Sequence, residues 1–162
     1  MGLIPSDRSR RAFSLIELVI VVVIIGIIAA IAIPRLSRGS EGAADAALIG
    51  NLAVMRSSID LFSTEHPGFP PVEATFEAQM LLYSDSVGNT NSVKGGGFIY
   101  GPYLRAIPPL PVGAMRGMVG IKAPPADGAG TEGWVYDNAT QQIIANTAGG
   151  EADANGKPYN QY

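Results

Sequence analysis

Leu18-Val-Ile-Val-Val-Val-Ile-Ile-Gly26-Ile-Ile-Ala-Ala-Ile-Ala-Ile33 is apolar at fifteen of sixteen positions, and the exception is a glycine. Extended back to Phe13, the run contains a single ionisable side chain, Glu17. As a helix it is about 31 Å long, roughly the thickness of a hydrocarbon core, so it is long and apolar enough to span a membrane. Upstream, Arg8, Arg10 and Arg11 against Asp7 make the first dozen residues basic, whereas the rest of the chain is net acidic. Downstream, residues 34 to 162 have the apolar content of an ordinary small globular domain. The plan is a membrane segment followed by one domain, out of 162 residues in all.

Three plain explanations of the apolar run compete. A secretory signal would use the basic head, the apolar stretch and a small-residue cut at Ala30-Ile31-Ala32. A single-span anchor would keep the run, although Arg35 and Arg38 after it leave a thin charge margin for orientation. A buried core helix is disfavoured, because a domain this small cannot wrap an all-round apolar helix on every side. None of them explains Glu17, an acid that costs roughly 2.5 to 3.5 kcal/mol at mid-membrane and somewhat less near an end. No Lys, Arg or His lies between Phe13 and Ile33, so a charged partner has to come from outside the run.

Arg10-Arg11-Ala12, then Phe13-Ser14-Leu15-Ile16-Glu17-Leu18, then the apolar run and Pro34, resembles the N-terminus of type IV pilins and pseudopilins. The resemblance implies removal of a basic leader (residues 1–12) by a prepilin peptidase cutting between Ala12 and Phe13, and N-methylation of Phe13. It further implies a homo-oligomeric helical filament in which Glu17 neutralises a neighbour's terminal amine. Alanine at position 12 departs from the family's usual glycine while keeping the residue small. Before assembly such a subunit lies in the lipid bilayer of the bacterial inner membrane as a single span, leader in the cytoplasm and head in the periplasm. Minor pseudopilins and an inner-membrane assembly platform are the further partners this implies.

Beyond the run, Leu48, Leu52, Met55, Ile59 and Phe62 recur at spacings of four and three, one stripe of an amphipathic helix. Residues 13–33 and 34–64 thus read as two parts of one long helix, with Pro34 and the Gly39, Ser40, Gly42 stretch as places for a kink. Residues 65–162 form the head: Glu65 to Pro71 stops the helix, and Phe76, Met80 and Tyr83 predict a short helix over about 75–83. Gly133 to Tyr136 and Gln142 to Ala145, flanking a five-residue loop, read as a β-hairpin. Weaker strand signals lie at 97–100 and 118–122. The fold class predicted is α+β and pilin-like, a long N-terminal helix on a small antiparallel sheet.

Gly101-Pro102-Tyr103-Leu104, Pro108-Pro109 and the hairpin at Trp134 are similar to head domains of major pseudopilins of type II secretion, and the absence of cysteine leans the same way. Those heads bind calcium near the C-terminus, and Glu151, Asp153 and Asn155 offer hard oxygen donors at alternate positions. The EF-hand pattern fails, however, with Tyr162 at the twelfth position, and a solvated acidic tail is the preferred reading. Other chemistry finds little support. His66 stands in a Pro-Gly turn without a nucleophile motif and reads as a solvated turn residue. Lys94-Gly95-Gly96-Gly97 lacks the order of a phosphate loop. Asn138-Ala139-Thr140 formally matches a glycosylation acceptor. Basic residues after Arg38 are scattered singly, so nucleic acid is not an expected partner. No motif demands an enzyme. The competing class is a secreted or anchored small binding module using an ordinary signal or anchor.

Overall fold

The computed structural model describes residues 13–162, and the side chains of all of these except 33–39. The chain divides into two units, residues 1–40 and 41–162. In the first, helix α1 (Leu15–Glu65) begins, and its stretch Leu15–Ala32 has a mean hydropathy of 3.2 with none of it buried. Phe13 is 78% exposed and Leu15 81%. From Leu18 on the segment carries no polar side chain on any face, so it is made for lipid or for other protein.

In the second unit, the stripe read from the sequence is the core face. Leu48, Leu52, Met55, Ile59 and Phe62 of α1 are all buried, each contributing about 1.5–3 kcal/mol of burial. They pack with Phe76, Met80, Leu104, Leu110, Trp134, Tyr136 and Ile143 in one cluster. The helix stops where the sequence says it should: Pro67 has no amide to donate, Gly68 takes φ +86°, and the amide of Phe69 turns back to the carbonyl of His66. A single 3-10 turn (Glu73–Thr75) then leads into α2 (Phe76–Leu81), shorter than the expected 75–83 because Leu82 is already extended.

Two small sheets follow. β1 (Tyr83–Ser84) pairs antiparallel with β2 (Thr90–Asn91). β3 (Gly120–Lys122), β4 (Glu132–Asp137) and β5 (Gln142–Ala145) form the larger sheet in that order. The hairpin β4–β5 has the predicted strands, with Asp137 opposite Gln142, so its loop is four residues and not five. β3 joins β4 in parallel, which makes this sheet mixed. The reason is the long return through residues 123–131, which brings the chain back to run beside β3 in the same direction. Gly133 is required there: a Cβ on it would stand 2.2 Å from the carbonyl oxygen of Met118. The weak signal at 97–100 is no strand but a pair of isolated bridges, Gly95 with Phe98 and Ser84 with Tyr100.

Loops are held by buried amides. Asn146 is fully buried, and its Nδ2 donates to the carbonyls of Ala129 and Glu132 while its Oδ1 accepts from the amides of Asp127 and Gly128. That satisfies its whole hydrogen-bonding capacity and ties the 127–132 segment to the end of β5. Gln79 does the same between Val72 and Gly88.

Candidate functional site

The candidate site is the N-terminal end of α1 and the surfaces it exposes. Ser14 precedes the helix and Glu17 stands in its first turn, a Ser-x-x-Glu arrangement. The Glu17 carboxylate reaches back to accept a hydrogen bond from the Ser14 amide at 3.0 Å. This is the reciprocal half of a capping box, in which a glutamate satisfies an amide that no helical carbonyl can reach. Glu17 thus has a hydrogen-bond partner within its own chain, although that partner carries no charge. Ala12 lies outside the described residues. Pro34 lies within α1, with its side chain outside the description, as is the expected kink there.

Along residues 41–65, α1 has a second face. Ala43, Ala46, Gly50, Ala53, Val54, Ser57 and Leu61 are all exposed, and at 100° per residue they lie together opposite the buried stripe. None is charged. Val54 is 54% exposed and Leu61 50%, and with Ala53, Ser57 and Ser58 they line a shallow groove of about 370 Å³. An outward helix face on an ordinary soluble domain is where charge collects. Here charge stays at the flank, where Asp60 is exposed and Arg56 turns inward, donating to the backbone oxygens of Ile143 and Tyr162.

The residues considered for calcium are not a solvated tail. Glu151 is half-buried and clamps two loops, accepting from the amides of Ala114 and Ala148. Asp153 accepts from the amides of Asn155 and Lys157 and from the hydroxyl of Tyr162. The Tyr162 hydrogen bond, followed by the backbone amide of Lys157, holds the Asp153 carboxyl down at about 2, and the same contact pushes the Tyr162 phenol up to about 12. Lys157 lies over the Tyr162 ring at 3.8 Å from its centre. Asn155 contributes its amide to this turn. Among the described residues no three His, Asp or Glu side chains come together in a metal-holding group.

His66 is likewise not a solvated turn residue: it is fully buried, stacked on Phe62 at 4.0 Å with Tyr100 edge-on at 5.0 Å. Its Nδ1 lies 2.8 Å from the Phe62 carbonyl oxygen, which only accepts, so Nδ1 carries the proton and Nε2 accepts from the Ser84 hydroxyl at 3.1 Å. Ser84 is also fully buried, so this Ser-His pair has no access to a substrate and serves the core. Next to it the Tyr103 hydroxyl donates to Glu65 at 2.5 Å, and burial followed by that hydrogen bond raises the phenol's pKa. Nothing in the sequence around His66 signals its burial, because its neighbours come from β1 (Ser84) and from the segment carrying Tyr100 and Tyr103. Asn138 is exposed, with its Oδ1 accepting from the Glu73 amide.

No curated protein and no solved structure matches the chain. Residues 7–33 match the family model of the prokaryotic N-terminal methylation motif. That segment covers the basic head, the Ala12–Phe13 junction, Glu17 and the apolar run. The chain therefore carries the prokaryotic N-terminal methylation motif, consistent with a type IV pilin-like prepilin, on a helix whose exposed apolar surface fits that reading.

Proposed function

We propose that this protein is a structural subunit of a helical filament, in particular a major pseudopilin of a type II secretion pseudopilus, and that it has no catalytic role. The subunit waits in the inner membrane as a single span with its head in the periplasm. Hydrolysis of the Ala12–Phe13 bond by a prepilin peptidase leaves a carboxylate on Ala12 and a free amine on Phe13, which then takes a methyl group from an activated methyl donor in exchange for a proton. Methylation leaves the amine cationic, so it still pairs with a carboxylate. Copies then assemble through their N-terminal helices, with minor pseudopilins and the assembly platform as partners. Packing the 13–33 helices together replaces lipid contacts by protein contacts, and pairing of Glu17 with a neighbour's Phe13 amine sets the step between subunits.

The observation that carries this reading is the pair of uncovered faces on α1: the apolar surface of Leu15–Ala32, and the uncharged outer face through Ala46, Gly50, Val54, Ser57 and Leu61. Small residues there let a neighbouring helix approach closely. The secretion assignment over a pilus rests on the head-domain similarity and the absence of cysteine. Two measurements test it in the native host. Glu17→Ala is expected to insert normally in membranes and to yield few filaments; wild-type filament yield would overturn the assembly reading. Intact mass and N-terminal sequencing should find a methylated Phe13 start, whereas Met1 or Ile33 at the N-terminus would return the chain to the anchor or signal class. Loss of secretion on deletion of this subunit, with surface pili unaffected, is the result expected for the secretion assignment.

A further inference from the structure

We infer that Glu17 has two successive partners, and that the Ser14-x-x-Glu17 capping box is its holding state in the uncleaved subunit. The inference rests on the filament reading for its second half only. In the chain that still carries its leader, the nitrogen of Phe13 is a peptide amide and offers no charge. The carboxylate is then engaged locally, accepting the Ser14 amide at 3.0 Å. Ser14 and Glu17 occupy the cap position and the third helical position, the spacing at which a side chain folds back one turn. The negative charge also stands at the positive end of the helix dipole, a second reason for it to stay in the first turn. Glu17 therefore does not lie in the bilayer without a hydrogen-bond partner before assembly.

Cleavage changes the competition. Once the Ala12–Phe13 bond is cut, an ammonium group appears one residue before Ser14, and a charged donor forms a stronger bond to a carboxylate than a neutral amide does. Engagement of that carboxylate by the amine of a neighbouring subunit then withdraws it from the Ser14 amide. Processing is thus what makes the exchange favourable, and the capping box keeps the precursor's acid from seeking other partners beforehand. Ser14 contributes through its backbone, so its side chain is not essential to the holding state.

The direct test labels the Glu17 carboxyl carbon and the Ser14 amide nitrogen in the full chain. Solid-state NMR then measures their dipolar coupling, once in uncleaved protein in lipid vesicles and once in assembled filaments. Strong coupling in the precursor that falls severalfold in the filament is the expected result. No coupling in the precursor, or undiminished coupling in the filament, overturns the inference. A second measurement needs no filament: amide hydrogen exchange at Ser14 in the uncleaved chain. Glu17→Gln keeps an acceptor oxygen and should leave that exchange within about twofold, whereas Glu17→Ala should speed it about fivefold, the factor a lost cap carries. Equal exchange in both variants overturns the holding state. Glu17-dependent protection in a chain that never forms filaments would leave the holding state standing and reject the filament reading instead.

Discussion

The apolar stretch 13–32 and the second unit, residues 41–162, solve the same problem in opposite ways. The stretch buries none of its apolar surface within the chain, while residues 41–162 bury Leu48, Leu52, Met55, Ile59 and Phe62 completely or nearly so. The difference is periodicity. Where apolar residues recur at three and four, one face is apolar and the chain can fold back to cover it. Where every position is apolar, no segment of the same small chain is large enough to do so, and the cover must be lipid or other subunits. One helix thus carries both an intramolecular and an intermolecular contract in its sequence.

Substitutions can break this division. The largest effect is expected for Trp134→Ala, which empties a fully buried site and removes the indole donor to the Pro108 carbonyl at 2.8 Å. The head should lose about 3–5 kcal/mol of stability by circular-dichroism denaturation, with membrane insertion unchanged. Next is Val22→Lys in the exposed stretch, expected to cost roughly 2.5–3.5 kcal/mol in insertion, measured by membrane fractionation, with the head's unfolding midpoint unmoved. An insertion defect in the first variant, or a shifted midpoint in the second, would show that the two regions are not independent.

The smallest effect sharpens the account of the head. Asp153 has its carboxyl held from an ordinary 3.8 down to about 2 by the Tyr162 hydroxyl and neighbouring amides. A depressed carboxylate contributes stability that is fully present above its unfolded value and is lost as pH falls through the folded one. The turn around Asp153 should therefore loosen between about pH 4 and pH 2, seen in tyrosine fluorescence, and Asp153→Asn should abolish that step. A step of unchanged size in the variant would assign it to another group. Above that window the variant's far-ultraviolet spectrum should match the parent's.

Much of the fold was legible because it rests on local rules. The buried stripe of α1, the stop at Pro67-Gly68 and the β4–β5 hairpin all follow from spacing and turn chemistry within a few residues. The spacing of the capping box, Ser14 three residues before Glu17, is also local, although the sequence reading of Glu17 considered charged partners only. What stayed hidden depends on contacts far apart in sequence. The burial of His66 needs Ser84 and Tyr100 folded over it, and the parallel pairing of β3 with β4 needs the loop that Asn146 ties down. The Glu151, Asp153 and Asn155 spacing suggested either a cation site or a free tail; instead Glu151 reaches Ala114, thirty-seven residues away, and Asp153 binds Tyr162.

By itself the sequence determined that this chain has an all-round apolar stretch with one acid near its start, a basic segment before it, and an amphipathic continuation. These are properties of composition and period, which no folding can alter. Tertiary structure alone decided where the polar groups of the head find their partners: His66 on Ser84 in the core, Glu151 on Ala114, Asp153 on Tyr162. Hydrogen bonds are short and directional, so their pairing is settled by which loops meet and not by spacing along the chain.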